Sequence, residues 1–144
     1  MKRFCAAAAI AVSLISVSGS ALADRTPAPP NAYAYIGYPN NGQTLPAGKP
    51  FRVWFGLRYM GVAPRGVQNP NTGHHQLLID TDLPSSFDEE IPSDRQHLHF
   101  GAGETETTLE LPPGKHTLQL LMGDYMHVPH NPPVYSKKIT IYVK

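Results

Sequence analysis

The chain has 144 residues, with 12 Lys+Arg, 11 Asp+Glu, 7 His and one Cys, for a formal net charge of +1. That length suits one domain, and the near-neutral balance offers no basic field for nucleic acid or an anionic membrane. A single cysteine cannot pair within the chain, which excludes a disulfide-stapled mini-protein; the composition also excludes a collagen, a coiled coil and a polytopic membrane protein.

Residues 1–23 read MKRFCAAAAIAVSLISVSGSALA. Lys2 and Arg3 supply a positive start, residues 5–17 an apolar run, and Ala21-Leu22-Ala23 a small-x-small cleavage site. This three-part pattern predicts a secretory signal peptide removed after Ala23, and hence a periplasmic or secreted protein. Ser18, Gly19 and Ser20 break the run before it is long enough to span a bilayer. Cleavage removes Cys5, so thiolate catalysis, iron–sulfur clusters and cysteine zinc sites are excluded from what remains. All seven histidines stay.

Residues 24–32, DRTPAPPNA, read as a Pro-rich tether, and residues 33–144 as a single domain. Short β-like runs then alternate with turn residues. Residues 33–38 (YAYIGY) precede a stretch dense in Asn, Gly and Pro. Residues 51–58 (FRVWFGLR) alternate, with Phe51, Val53 and Phe55 on one side; Trp54 reads as a core tryptophan. Further strands are expected at 74–80, 97–100, 105–111, 115–122 and 136–143. Residues 81–95 (TDLPSSFDEEIPSDR) have no periodic face and read as a long surface loop. No stretch beyond the signal carries a sustained 3.6-residue period. About seven strands in this span predict an immunoglobulin-like antiparallel β-sandwich without the cysteine pair of antibody domains.

The histidines carry the chemistry. They fall in three places: His74/His75, His97/His99, and His116 with His127/His130. In a strand, His97 and His99 point to one face, about 6.5–7 Å apart, where two imidazoles can converge on an ion. His74 and His75 point to opposite faces, so at most one joins a strand-based site. His75 shares its face with Leu77 and Ile79, and His74 shares its own with Gln76, Leu78 and Asp80. His127 and His130 lie in a Pro-stiffened loop beside Met126, a thioether that Cu(I) accepts. Met122, at the end of an alternating strand, reads as core packing. His116, on a face with Leu118 and Leu120, reads as a buried, hydrogen-bonded structural histidine. Asp80, Asp82 and Asp124 are candidate acceptors for histidine N–H groups, Asp124 alternatively a turn residue. There is no G-x-S-x-G elbow, no phosphate loop and no EF-hand, so a binding role is favoured over an enzymatic one.

The segments GHHQLLID (73–80) and HLHFGAGETETTLELPPGKHTLQLLMGDYMHVPHNPPVYS (97–136) resemble a bacterial family of small secreted domains of unknown function. The resemblance runs from about Tyr35 to the C-terminus. It implies secretion and no particular activity. Members of that family often carry a third histidine where this chain has Gln76; if that position is a ligand in them, this chain has lost it or uses an amide instead.

The expectation is therefore a histidine-rich sandwich that binds a transition metal, copper before zinc, for delivery or buffering. The candidate ligands are His97, His99, His74, His75, His127, His130 and Met126. The alternative is a non-catalytic cell-envelope module, in which exposed Tyr33, Tyr35, Tyr38, Tyr59, Tyr125 and Tyr135 contact a glycan, a peptide or a partner protein. The two diverge on geometry: the first requires histidines from the separate clusters to meet.

Overall fold

A computed structural model describes residues 24–144; residues 1–23, read above as a signal peptide, lie outside the described residues. Nine strands follow in chain order: β1 (Tyr33–Tyr38), β2 (Thr44–Leu45), β3 (Phe51–Arg58), β4 (Gly61–Val62), β5 (Thr72–Ile79), β6 (His97–His99), β7 (Glu106–Leu109), β8 (Gly114–Gly123) and β9 (Ile139–Val143). There is no helix among the described residues, and none long and apolar enough to cross a membrane. The seven strands expected from alternation are all present; β2 and β4, two residues each, are too short to leave a period in the sequence.

The strands form two sheets packed as a sandwich. One has three strands in the order β1-β3-β7, all antiparallel. The other runs β2-β9-β8-β5-β4, with β6 also pairing β5. Its long pairings, β5 with β8 and β8 with β9, are antiparallel; the short β2 and β4 join in parallel. Alternation decides the core. Phe51, Val53 and Phe55 of β3 face Leu77 and Ile79 of β5, Leu118, Leu120 and Met122 of β8, and Ile141 of β9 in one buried cluster. Each large apolar side chain buried there contributes about 1.5–3 kcal/mol relative to exposure.

Trp54 is not in that core. It sits on the opposite face of β3 from Val53 and Phe55, 36% exposed. Its ring packs edge-on against Tyr35 at 6.2 Å and covers Gly37 so closely that no Cβ would fit there. The strand period that sends Phe51, Val53 and Phe55 inward sends Trp54 outward.

The larger sheet has a second buried face, which the loop reading of residues 81–95 did not anticipate. Leu83, Phe87 and Ile91 fold back over the sheet and pack on Leu78 and Leu121. The segment has no regular structure, so its apolar residues follow no strand or helix period. As a result β5 is buried on both faces, from Gly73 to Ile79. Residues 24–32 are also held in place. Pro27 bridges Asn131, Ala28 donates its N–H to the Asn131 carbonyl, and Thr26 Oγ1 donates to Asp124 Oδ2 at 2.5 Å.

Candidate metal centre

The site forms on the covered outer face of the larger sheet. Residues of β5 alternate, so His75, Leu77 and Ile79 enter the core while His74, Gln76 and Leu78 face the covering segment. Strand β6 pairs antiparallel with β5 in the register Gln76↔His99, Leu77↔Leu98, Leu78↔His97. Directly opposed residues share a face, so His99 lies across from Gln76 and diagonal to His74. The third histidine comes from the turn after β8. Gly123, the last residue of β8, stands opposite His74 in register. Asp124 then organises the turn: its Oδ1 accepts the N–H groups of Met126 and Val128, both at 2.9 Å. Its carbonyl accepts the His127 N–H, and His127 takes a left-handed φ of 70°. The Ile91 N–H donates to the His127 carbonyl, tying the covering segment to the turn.

Three imidazoles from three separate stretches of chain therefore meet. His74 Nε2 and His99 Nε2 are 3.1 Å apart. The rings of His99 and His127 stack at 4.1 Å, and those of His74 and His127 lie 5.4 Å apart. Each of the three offers a ring nitrogen, and these atoms all lie within 4.8 Å of one another. Nitrogens bound to one tetrahedral ion at 2.0–2.1 Å are about 3.3 Å apart. The His74–His99 pair already has that spacing, and the third ring needs a shift of no more than about 1.5 Å. Glycine at 123 leaves the room: a Cβ there would lie 3.3 Å from His127 Cδ2 and 3.4 Å from His74 Cε1.

The electrostatics favour neutral rings. Burial, then the neighbouring His99 and His127, lowers the His74 pKa to about 3. Burial and the nearness of His99 lower that of His127 to about 4. His99, the most accessible of the three, is also lowered, by burial and then by Arg65. Neutral imidazoles keep the lone pairs that a metal needs. His74 Nδ1 and His127 Nε2 are buried without a hydrogen-bond partner. On its other side His127 Nδ1 faces Glu90 Oε1 at 3.5 Å, and that carboxylate is held at 2.7 Å by Arg65. A carboxylate behind an imidazole fixes the tautomer that presents the opposite nitrogen.

The other candidate residues lie elsewhere. His97 shares the outer face, but its Nδ1 is bonded to Asp94 Oδ1 at 2.8 Å. Two residues before His99 on β6, it falls outside the group of three. His75 is in the core, its ring 4.8 Å from that of Phe55, and burial lowers its pKa to about 4. His130 is buried with its Nε2 donating to the Thr72 carbonyl at 3.0 Å. Met126 follows the turn outward and is 57% exposed, while Met122 is buried in the core. His116 is the structural histidine expected of it: Nδ1 bonds Asp80 Oδ2 at 2.7 Å and Nε2 donates to the Pro112 carbonyl at 2.8 Å. Of the aspartates, Asp80 serves His116, Asp82 pairs with Lys138, and Asp124 builds the turn. The carboxylate beside the site is instead Glu90, together with Arg65. Neither stands at an informative spacing from a histidine, so no local pattern marks them.

Across residues 53–144 the chain matches the family model described as "Domain of unknown function (DUF4399)". The chain belongs to that family. No curated protein and no solved structure matches it. The matched span takes in most of β3, all of β4 to β9 and every residue of the three-histidine group.

Proposed function

We propose that this protein binds a transition metal through His74, His99 and His127, copper before zinc, to deliver or buffer it in the periplasm or outside the cell. One observation carries the reading: a histidine from each of three separate segments contributes a nitrogen to a group spanning no more than 4.8 Å. Three imidazoles with a further position open form a donor set shared by copper and zinc. Copper is preferred because Cu(II) binds a given nitrogen site more tightly than Zn(II). His99 is partly exposed and supplies the route of entry. We read the site's role as delivery or buffering, with a redox enzyme as the lesser variant.

The test is equilibrium dialysis of the purified, chelator-treated protein against Cu(I), Cu(II) and Zn(II). One equivalent is expected to bind, and to be lost in a His74→Ala/His99→Ala variant. No binding of any of the three ions below about 10 μM would overturn the reading.

A second reading, a cell-envelope interaction module, draws on a different face. Tyr33, Tyr35, Ile36, Pro39, Tyr135 and Ile139 line an apolar groove beside β1. Tyr33 and Tyr135 are exposed there, and aromatic rings suit sugar faces and peptide side chains alike. Binding of soluble cell-wall glycan fragments, abolished by Tyr33→Ala, would favour it.

A further inference from the structure

Gln76 is fully buried on the face of β5 that carries His74, and it stands directly opposite His99 in the β5–β6 register. Neither its amide oxygen nor its amide nitrogen has a hydrogen-bond partner. Leu121 is its partner on β8, and Leu78 follows on β5 under Ile91 and Phe87, so apolar side chains flank it on that side. A buried primary amide with both ends unpaired is costly, and leucine or methionine would fill the same space without the penalty. A glutamine here therefore needs a compensating interaction. The polar groups that share its face nearby are the imidazoles of His74 and His99, whose Nε2 atoms already meet each other at 3.1 Å. An amide N–H can meet an imidazole lone pair, but the amide nitrogen itself has no lone pair to give an ion. What remains is the amide oxygen, a neutral donor suited to a metal as a weak fourth ligand.

We infer that Gln76 Oε1 completes the coordination of the ion held by His74, His99 and His127, so that the site is three imidazoles and one amide oxygen. The inference rests on the metal-binding reading above and adds to it a ligand that tunes the ion. A neutral, weakly bound oxygen leaves the ion's charge undiminished and its exchange fast. That suits a protein that gives its metal up, whereas a fourth imidazole or a carboxylate in the same place would hold the ion harder.

The experiment compares wild type with Gln76→Leu, Gln76→Glu and Gln76→His by Cu(II) and Co(II) titration, with Cu(II) paramagnetic resonance and Co(II) visible spectra. Melting of the metal-free proteins is followed beside them. Gln76→Leu is expected to bind about 10–100-fold more weakly, with changed spectra, while its metal-free form melts higher than wild type. Gln76→Glu and Gln76→His are expected to bind more tightly than wild type and to release the ion more slowly. If Gln76→Leu does not fold, those two variants still decide the matter, since each keeps a donor at that position. Wild type and all three variants binding with equal affinity and identical spectra would overturn the role of Gln76 and leave the three-histidine site standing. No binding by wild type would overturn the metal reading itself, and this inference with it.

Discussion

The two faces of β5 put adjacent histidines to opposite uses. On the inner face His75 lies among Phe55, Phe100 and Leu77, with backbone groups of Gly56 and Glu104 as its polar neighbours. On the outer face His74 lies among His99, His127 and Gln76, and its Nε2 meets another imidazole. Both rings are buried and both pKa values are depressed, so burial alone does not separate them. Neighbours do. An imidazole with no second one beside it can pack and meet the backbone, while three imidazoles with facing nitrogens can share an ion. Depth in the fold, or a low pKa, is therefore a poor guide to which histidine is functional.

This contrast can be broken most directly by exchanging ligand loss between the faces. His74→Ala is expected to weaken Cu(II) binding by more than about 100-fold, since removing a ligand costs more than disturbing its support. His75→Leu is expected to leave the affinity within about twofold, as measured in the same titration. Equal losses from the two would erase the distinction.

Acid probes the property the faces share. His74, His75 and His127 have folded-state pKa values below the unfolded value of 6.5. The unfolded chain therefore takes up protons first as the pH falls. The stability these groups contribute is complete above about pH 6.5 and declines as the pH drops toward 4. The Tm of the metal-free protein is expected to fall by on the order of 10 °C between pH 7 and pH 5. His116 runs the other way. Burial opposes its charge, but the Asp80 carboxylate and the Pro112 carbonyl outweigh that and raise its pKa. Its contribution is full below about pH 6.5 and is lost as the pH rises through its raised value. A Tm that holds steady from pH 7 to pH 5 would contradict the burial of the three depressed rings.

Smaller effects sharpen the same contrast. His75→Leu trades a buried imidazole beside the Gly56 and Glu104 backbone groups for an apolar side chain, so its Tm is expected to change by no more than a few degrees in a thermal melt. His97→Ala breaks only the contact with Asp94, whose carboxylate is more than half exposed. It is expected to change metal affinity by less than about twofold and Tm by a degree or two. A large loss of metal affinity in His97→Ala would restore the pairing of His97 with His99 that strand geometry by itself suggests.

Much of the fold is legible in the sequence because strand periodicity is a local property. The alternation of FRVWFGLR places Phe51, Val53 and Phe55 in the core, and the boundaries of β1 and β3 follow from the turn residues around them. The same period, followed along β5, separates His74 from His75 before any contact is known. The period does not say which face lies inward. Trp54 is large and apolar enough for a core, yet three neighbours of the opposite phase outweigh it. Nor does it disclose that residues 83, 87 and 91 return to cover the sheet, because an irregular segment buries its apolar residues without a repeat.

For the site the division is sharper. The donors can be read from the residues alone: seven histidines, no cysteine after position 5, and a His-x-His pair on a strand. Which of them meet is fixed by how the strands and turns pack. The register of β6 on β5 sets His99 beside His74, and the Asp124 turn brings in His127 from more than fifty residues away along the chain. The same packing leaves His97 with Asp94 and His130 with the Thr72 carbonyl. A metal reads distances of a few ångströms, and between segments far apart in the chain those distances are set by sheet register and turn geometry, which no local spacing encodes.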